Sequence, residues 1–594
     1  MKRWVIGWVC MMASVGWGQA TRPMEVGEMD RGYLREHFEK REYRVGMRDG
    51  AGLHTVVYVP RDGGNQKRGM ILLRTPYGVG GEDPKYEMRW FGREGFIFVM
   101  QDVRGRNGSE GEFVHVRPML RQGEKGIDES TDAWDTVDWL VKNVQGSNGR
   151  VGLVGSSYPG MYALEGGMNA HPAVKCAVVQ APVIDWFAGD DLHHNGAFCL
   201  AQSYPFLAMM AGKPVTMEDG YGYYLKLGAI GNVTGLDQFW DQVMGHGVED
   251  AFWKERDVRE HLGEVSVPMM TVGGWFDAED LFGTLAAYRG VEKVSGPREN
   301  VLVMGPWSHG GWMRGDGEEL GEVKFGGKTA EWYRREVEIE FLKKYLNGED
   351  AGKIAEATVF ETGVNRWRRF ATWPPEGGVE REMYSRSGGR LSFEPVEKGE
   401  GEFDEYVSDP ARPVPFVEKV GKGVPAEFMV GDQRFAESRG DVLGYKTETL
   451  AEDVRVMGPV GVDLRVSTSG TDADWVVKVI DVWPSGYEQL LRGDVMRGKF
   501  REGLGKEVAF EPGKVTEVKF EMADVCHTFL RGHRVMVQVQ SSWFPLFDRN
   551  PQVFCDIYHV REGDYQKAVE RVYHGVGEES GVWVRVMSGD VLGK

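Results

Sequence analysis

The sequence predicts an α/β domain built on a doubly wound parallel sheet, interrupted by a helical cap and followed by an all-β jelly roll. Before residue 352, short apolar runs bounded by Gly, Pro or Asp alternate with amphipathic stretches, as in parallel strands joined by crossover helices. Between residues 185 and 265 this alternation gives way to helical patches rich in aromatic residues and Met. After residue 352, period-two segments lie between Gly, Pro and Asp turns. The predicted parts are residues 21–184 with 266–351, residues 185–265, and residues 352–594.

Six apolar runs are the predicted strands of the parallel sheet. Because they are short and carry few polar residues, we expect both faces of each strand to be buried. Residues 131–144 are a predicted helix, since their apolar side chains recur at helical spacing and acidic residues come early. Residues 330–347 are a second predicted helix, with Gly348 as its C-cap. The six strands are residues 69–75, 95–102, 151–155, 174–181, 267–273 and 300–305.

Residues 1–20 are a predicted signal peptide. Two basic residues precede the apolar run Trp4–Val15, and small residues stand at positions 18 and 20, where signal peptidase needs them. The run is too short to span a bilayer comfortably, and an uncleaved anchor is the alternative interpretation. We therefore expect a secreted or periplasmic protein whose mature chain has no membrane association.

The composition excludes several classes of function. The chain has 594 residues, with 71 Lys and Arg against 90 Asp and Glu, so its formal net charge is −19. A chain this acidic lacks the excess of basic residues that is typical of a nucleic-acid-binding protein, and anionic membranes repel it. No HExxH or EF-hand pattern occurs, and the adjacent His193 and His194 are interpreted as cap or pocket-lining residues rather than metal ligands. The disulfide state stays open for Cys176, Cys199, Cys526 and Cys555.

The most informative segment surrounds Ser157. Residues 155–160 read Gly-Ser-Ser-Tyr-Pro-Gly and lie between a predicted buried strand and a helix. This G-x-S-x-x-G spacing predicts a nucleophile elbow, in which a sharp turn lifts the serine hydroxyl above the edge of the sheet. The N-terminus of the following helix favours developing negative charge there. The alternative is a glycine-rich turn with two incidental serines.

An acid and a base follow in the order that such an elbow requires. Asp277 comes directly after the predicted strand 267–273, and His309 comes one short loop after strand 300–305. In doubly wound hydrolases the chain order is serine, acid and histidine, each at the C-terminal end of a strand. The predicted catalytic triad is therefore Ser157, Asp277 and His309.

Several motifs together resemble one family of serine hydrolases. The sequence is similar to the cocaine-esterase and X-prolyl dipeptidyl-peptidase type, and within it to the α-amino acid ester hydrolases. The resemblance covers nearly the whole mature chain and implies an α/β-hydrolase domain, a helical cap and a C-terminal jelly roll. The matching segments are residues 74–78, 101–114, 155–160, 274–281, 305–312, 406–416 and 541–552.

The resemblance also implies roles for individual residues. Ser157 is expected to be the nucleophile, His309 the general base and acid, and Asp277 the residue that orients His309. Tyr77, in the segment Arg-Thr-Pro-Tyr-Gly, matches a tyrosine whose hydroxyl helps to form the oxyanion hole. The backbone N–H of Tyr158 is the expected second donor.

Three carboxylates are the expected site for a substrate ammonium group. Glu279 and Asp280 follow Asp277 closely, and in α-amino acid ester hydrolases a cluster of three carboxylates binds the ammonium. The third member is expected to be Asp191, although the adjacent Asp190 stays open. From the residues alone, these acids fit equally well at a helix N-terminus.

The expected function is hydrolysis of α-amino acid esters and amides through an acyl-enzyme, with transfer of the acyl group when an amine attacks. The resemblance extends this to β-lactams that bear an α-amino acyl side chain, and it implies no cofactor, no metal and a homotetramer. The alternatives on the same triad are an X-prolyl dipeptidyl-peptidase, an aminopeptidase-like enzyme, a glutaryl-7-ACA-type acylase and a general esterase. Outside this class, the jelly roll could belong to a non-catalytic carbohydrate-binding protein.

Overall fold

The computed structural model describes residues 31–61, 66–80, 91–121, 123–294, 299–349, 352, 354–397 and 402–587. The predicted signal peptide, residues 1–20, lies outside the described residues. Among the helices in the described ranges, none is both long enough and apolar enough to cross a bilayer.

The N-terminal two thirds of the chain contain fourteen strands and ten α-helices within the described residues. The strands are β1 Phe38–Gly46, β2 Gly52–Pro60, β3 Arg68–Thr75, β4 Ile97–Asp102, β5 Ser147–Ser157, β6 Val174–Pro182, β7 His193–His194, β8 Ala197–Phe198, β9 Met269–Gly274, β10 Asn300–Gly305, β11 Glu319–Leu320, β12 Val323–Lys324, β13 Ala357–Glu361 and β14 Arg366–Phe370. The helices are α1 Arg31–His37, α2 Glu129–Asn143, α3 Tyr158–Gly166, α4 Leu200–Met210, α5 Gly220–Leu227, α6 Gln238–Gly245, α7 Ala251–Lys254, α8 Leu281–Val294, α9 Thr329–Tyr333 and α10 Ile339–Asn347.

Ten of these strands form one mixed sheet in the order β1-β2-β4-β3-β5-β6-β9-β10-β13-β14. Within this sheet order, every neighbouring pair from β4 across to β13 is parallel. At the two edges, β1 and β2 on one side and β14 on the other pair antiparallel. All six predicted strands are confirmed, as β3, β4, β5, β6, β9 and β10. Every residue of β4, β9 and β10 is buried, as the continuous apolar runs predicted.

The sheet extends further along the chain than the sequence predicted. β13 and β14 come after residue 351, the predicted end of the α/β domain, yet β13 pairs in parallel with β10 and β14 pairs with β13. Ala357, Val359 and Phe360 are almost completely buried, which favours adding this short run to the first sheet. Its five residues carry no local pattern that distinguishes them from strands of the following domain.

Both predicted helices are present, but the second is irregular. The helix predicted at 131–144 is α2, whose N-cap Asp128 accepts a hydrogen bond from the Thr131 N–H in a capping box. The helix predicted at 330–347 consists of α9, a π-helical turn over Arg334–Glu338, and α10. It ends at Gly348 with a φ of 76°, as expected for a left-handed C-cap.

The segment between β6 and β9 forms the helical cap. It contains α4 to α7, two short 3₁₀ helices and the hairpin of β7 and β8. Aspartates begin four of its helical segments, and each carboxylate accepts a backbone N–H of the first turn, which fixes where the helices start. These N-caps are Asp219, Asp237, Asp250 and Asp257.

In the C-terminal sheet domain, residues 378–587, most of the regular secondary structure is β-strand. Its strands are β15 Gly378–Arg386, β16 Arg390–Ser392, β17 Phe403–Ser408, β18 Leu443–Lys446, β19 Val454–Thr468, β20 Asp474–Val482, β21 Glu488–Arg497, β22 Thr516–Phe529, β23 Arg534–Gln540, β24 Ala568–Tyr573 and β25 Gly581–Met587, with helix α11 at Arg434–Glu437. These eleven strands form one hydrogen-bonded network in the order β17-β24-β19-β25-β15-β16-β18-β23-β20-β21, with β22 paired to β19. All pairs except β16 with β18 are antiparallel. The predicted all-β domain is therefore confirmed.

Buried and partly buried polar contacts join the cap and the α/β domain to the C-terminal sheet domain. The imidazole Nε2 of His193 lies 2.7 Å from the Tyr558 hydroxyl, and His194 Nδ1 lies 3.0 Å from the Asp494 carboxylate. The guanidinium of Arg492 donates to the Trp275 carbonyl at 2.7 Å. The C-terminal sheet domain therefore supports the backbone at Trp275, two residues before Asp277.

Candidate active site

Ser157 lies at the junction between β5 and α3 in a strained backbone conformation. Its φ of 65° and ψ of −130° are unusual for a residue with a side chain. A Cβ on Gly155 would lie 2.0 Å from the Pro159 carbonyl oxygen, and one on Gly160 would lie 2.5 Å from that of Gln180. Both positions therefore require glycine, and the turn has the geometry of the predicted nucleophile elbow.

A buried acid lies behind this elbow, on α3. Glu165 is fully buried, and neither of its carboxylate oxygens has a hydrogen-bond partner among the described residues. Burial raises the pKa of Glu165 well above its ordinary value, and the nearby acids Glu129 and Asp128 raise it further. Folding therefore favours the protonated, neutral form of the Glu165 side chain.

This protonation makes the stability of the fold depend on pH. Above its ordinary pKa of 4.5, Glu165 loses its proton in the unfolded chain but keeps it in the folded chain, so the free energy of unfolding falls as pH rises toward the folded-state pKa. We expect Glu165→Gln to raise the Tm at pH 8 and to change it little below pH 4. Thermal denaturation between pH 4 and pH 8 measures this, with exposed Glu448→Gln as control. An equal effect of Glu165→Gln at both ends of the range would contradict it.

Asp277 and His309 form a direct pair at the carboxyl ends of β9 and β10. His309 Nδ1 lies 2.9 Å from Asp277 Oδ2 and 3.1 Å from Oδ1. The Asp277 Oδ1 atom also accepts the backbone N–H groups of Glu279 and Asp280, at 2.8 and 3.1 Å. These bonds hold the acid loop, residues 275–280, in a tight turn and aim its carboxylate at the imidazole.

The serine is oriented toward Asp280 in this structure. Ser157 Oγ donates to Asp280 Oδ2 at 3.3 Å, and the same carboxylate oxygen lies 3.8 Å from His309 Nδ1. Within the described part of the chain no hydrogen bond joins Ser157 to His309. The three predicted triad residues therefore lie close together, but the serine hydroxyl points to Asp280 and not to His309.

Asp191, Glu279 and Asp280, here called the carboxylate cluster, gather beside this pair. Glu279 Oε2 lies 3.5 Å from His309 Nε2, and Asp280 is completely buried. Desolvation, reinforced by repulsion from neighbouring acids that include Asp277, raises the pKa of Asp191, raises that of Glu279 to about 7, and raises that of Asp280 well above its ordinary value. Among the described residues, none of the three acids forms an ion pair with Lys or Arg, so the cluster lacks a permanent counter-ion.

The two adjacent aspartates of the cap have different surroundings. The Asp190 carboxylate accepts three backbone N–H groups, from Ile184, Asp185 and Gly283, at 2.7 to 2.9 Å. Asp191 is only partly buried, and the electrostatic influence of its carboxylate reaches both His309 and Tyr77. This geometry assigns Asp190 to the support of the backbone and favours Asp191 as the member of the cluster.

Two cap residues that the sequence did not single out hold Asp191. The Trp186 indole N–H donates to Asp191 Oδ2 at 3.0 Å, and the Gln202 amide donates to Oδ1 at 2.7 Å. Trp186 also packs edge-on against Tyr158, next to the nucleophile. Their only signal in the sequence is proximity to Asp191, since neither belongs to a catalytic motif.

The expected oxyanion donors are the backbone N–H of Tyr158, next to the serine along the chain, and the Tyr77 phenol, which lies near the carboxylate cluster. Tyr158 is the first residue of α3, where backbone N–H groups have no acceptor within the helix. Burial and the nearby carboxylates Asp191, Asp280 and Glu279 raise the pKa of Tyr77 well above 10, so its phenol stays protonated and able to donate.

We expect Tyr77→Phe to lower kcat for a good ester substrate by about 10²–10³-fold, the usual cost of one lost oxyanion donor. The ring is retained, so the Tm should change little. Steady-state kinetics beside thermal denaturation separate the two effects. Tyr204→Phe, which removes a phenol from the cap instead, is the control, and an equal loss of kcat in both variants would remove Tyr77 from the oxyanion hole.

The described residues offer no evident metal or disulfide chemistry. They contain no group of three or more His, Cys, Asp or Glu side chains arranged to hold a metal ion. Cys176, Cys199, Cys526 and Cys555 are free thiols, and the first three are buried. Burial raises the pKa of each of these thiols, which keeps them protonated and unreactive.

Comparison with known proteins agrees with this site and fold. A family model described as X-Pro dipeptidyl-peptidase (S15 family) matches residues 49–311, and one described as X-Pro dipeptidyl-peptidase C-terminal non-catalytic domain matches residues 350–582. Cocaine esterase of Rhodococcus sp. (strain MB1 Bresler) is 29% identical over 576 residues, covering 89% of this chain and 95% of the relative.

Two solved structures are similar over almost the entire chain. An aminopeptidase from a marine sediment archaeon, Thaumarchaeota archaeon, is 38% identical with a TM-score of 0.88, covering 93% of this chain and 97% of that one. An α-amino acid ester hydrolase is 36% identical, also with a TM-score of 0.88, covering 95% of this chain and 100% of that one. These similarities favour an enzyme over the non-catalytic binding protein considered above. The chain belongs to the X-Pro dipeptidyl-peptidase (S15) family of serine hydrolases.

Proposed function

We propose that this hydrolase cleaves esters and amides of α-amino acids, and transfers their acyl groups to amines, through an acyl-enzyme on Ser157. The observation that carries the proposal is the carboxylate cluster. Three buried or partly buried acids lie beside the nucleophile without a Lys or Arg counter-ion among the described residues. Burying several acids with one titratable counter-ion, His309, is costly, so a site of this kind favours a ligand that brings a further cation. A protonated α-amino group, adjacent to the acyl carbon, supplies one.

The proposed reaction follows from the positions of these groups. Ser157 Oγ attacks the acyl carbon while its proton passes to His309 Nε2, and Asp277 stabilises the imidazolium that forms. The oxyanion accepts hydrogen bonds from the Tyr77 hydroxyl and the Tyr158 N–H. His309 then protonates the departing alkoxide or amine as its bond to the acyl carbon breaks. Water repeats the sequence to release the acid, and an amine in its place receives the acyl group.

The similar structures support recognition of a free amino group. Both an aminopeptidase and an α-amino acid ester hydrolase, by their names, act on substrates that carry an α-amino group. Asp191 and Glu279 would bind this group, since Asp191 is partly buried and Glu279 faces His309 Nε2. Because the archaeal aminopeptidase is 38% identical to the chain, aminopeptidase activity on short peptides is the second candidate function.

A substrate panel tests the proposal, with Ser157→Ala as the blank. It contains an α-amino acid methyl ester, an amino acid anilide, an X-Pro anilide, a benzoyl ester and a glutaryl amide. β-Lactams with and without an α-amino acyl side chain complete the panel. We expect the α-amino ester to have the highest kcat/KM and only the α-amino β-lactams to be cleaved. Preference for the benzoyl ester would favour a general esterase, and preference for the X-Pro or glutaryl substrate would favour the corresponding alternative.

Location and assembly are parts of the same proposal. We propose a secreted or periplasmic enzyme, on the basis of residues 1–20, and a homotetramer, on the basis of the family resemblance. N-terminal sequencing of the exported protein should begin near Thr21, and light scattering after size-exclusion chromatography should give four times the mature mass. Membrane-bound protein that retains residues 1–20 would contradict the proposed export. A monomer in solution would contradict the proposed homotetramer.

A further inference from the structure

We propose that the ammonium group of the substrate assembles the catalytic pair: in the free enzyme the carboxylate cluster holds Ser157 and His309 apart, and a bound cation releases them to each other. This inference rests on the proposed function, because it requires a substrate that carries an ammonium group. It assigns a role in the chemical step to a group that would otherwise only contribute affinity.

Both reacting atoms are engaged by acids of the cluster. Ser157 Oγ is 3.3 Å from Asp280 Oδ2, and His309 Nε2 is 3.5 Å from Glu279 Oε2. For general-base catalysis, the serine hydroxyl must instead donate to the imidazole Nε2. The backbone does not have to move to achieve this, since Ser157 is already fixed in the elbow. The change we propose is rotation of the serine side chain together with release of the imidazole from Glu279.

The charge around His309 keeps it protonated in the free enzyme. Asp277, Glu279 and Asp280 face it from the acid loop, Asp191 faces it from the cap, and the Tyr77 phenol and the Arg314 guanidinium lie near these acids. The acids outweigh the desolvation of the ring and raise the pKa of His309 to about 9. An imidazolium cannot accept the serine proton, so the free enzyme is in a resting state at neutral pH.

A bound ammonium reverses both effects. Placed between Asp191 and Glu279, it competes with His309 for the Glu279 carboxylate and repels the imidazolium, so the pKa of His309 falls. His309 then releases one proton to solvent, and its Nε2 lone pair becomes free to accept the Ser157 proton. Asp280 gives up the serine readily, because burial raises the pKa of this acid and so favours its neutral form, and a bond between neutral groups is weaker than a charge-assisted one.

A matched pair of esters tests the inference: phenylglycine methyl ester and phenylacetic acid methyl ester, which lacks only the amino group. The pH dependence of kcat reports the ionisation of the enzyme–substrate complex. We expect the acid limb for the phenylacetic ester to have its midpoint near pH 9, the free-enzyme value for His309. For the phenylglycine ester this limb should lie at least one pH unit lower. Acid limbs at the same pH for both esters would overturn the inference.

Two variants provide a matched control. Glu279→Gln removes the acid that contacts His309 Nε2, so we expect it to lower the acid limb for the phenylacetic ester by at least half a pH unit. Asp191→Asn removes an acid that is more remote from His309 and should lower this limb less. Glu279 does not control the pKa of His309 if Glu279→Gln leaves the acid limb of the kcat–pH profile unchanged. The same conclusion follows if Asp191→Asn shifts this limb by as much as Glu279→Gln does.

The outcomes separate this inference from the proposed function. Equal kcat/KM for the two esters would mean that no ammonium site exists, and the proposed function would fail with the inference. A preference for the phenylglycine ester that lies entirely in KM, with identical kcat–pH profiles, would leave the proposed function intact. It would show that the ammonium only binds and does not release the catalytic pair.

Discussion

Ser157→Ala is expected to lower kcat by about 10⁶-fold, the typical cost of removing the nucleophile of a serine triad. The acyl-enzyme cannot form without the hydroxyl, and water attack supported by the oxyanion donors alone is slow. Labelling by a fluorophosphonate should disappear in the same variant. Initial rates over long incubations measure the first effect, and mass spectrometry of labelled protein measures the second.

The chain offers a matched control one residue earlier. Ser156 is also buried in the elbow, and its hydroxyl has no hydrogen-bond partner within the described ranges. Ser156→Ala removes the same atom without touching the nucleophile, so it should still be labelled and active. Labelling that survives in Ser157→Ala but is lost in Ser156→Ala would move the nucleophile to the neighbouring residue.

Neutralising the carboxylate cluster should also have a large effect on activity. We expect Asp191→Asn and Glu279→Gln each to lower kcat/KM for free α-amino esters by about 10²–10³-fold, since breaking a desolvated charge pair typically costs 2–5 kcal/mol. Rates on N-acetylated esters, which carry no cation, should change far less. The ratio of kcat/KM for the two esters is therefore the quantity to measure in each variant.

Asp190→Asn is the control for this prediction. Its carboxylate supports the backbone through three N–H groups, so its replacement should lower the Tm while the ratio of the two rates is maintained. If the ratio of kcat/KM for the free and the N-acetylated ester falls in Asp190→Asn but is maintained in Asp191→Asn, the roles of the two aspartates are exchanged.

The central sheet and the elbow could be predicted because their signals are local. Buried parallel strands are continuous apolar runs, and the elbow needs glycine at positions 155 and 160 because a Cβ there would collide with a carbonyl oxygen. The order of Ser157, Asp277 and His309 along the chain follows from successive strand ends. The strands β13 and β14 could not be assigned to a sheet, since only their partner β10 decides which one they join.

The arrangement inside the site could not be derived from the sequence. Whether Ser157 turns to His309 or to Asp280 depends on side-chain contacts between segments more than 100 residues apart. The distinction between Asp190 and Asp191 depends on which carboxylate faces the backbone of α8, as in the bond from the Gly283 N–H. The contact of His193 with Tyr558 joins residues 365 positions apart and has no local signal at either end.

The most direct measurement is kcat/KM for one α-amino ester and for its N-acetyl derivative under the same conditions. Acetylation removes the positive charge and keeps the scissile ester, so only contacts with the amino end change. Because these acids outnumber the cationic groups beside them, we expect the free amine to react faster by at least about 10²-fold. Equal rates would mean that Asp191, Glu279 and Asp280 do not recognise the substrate, whatever the identity of the nucleophile.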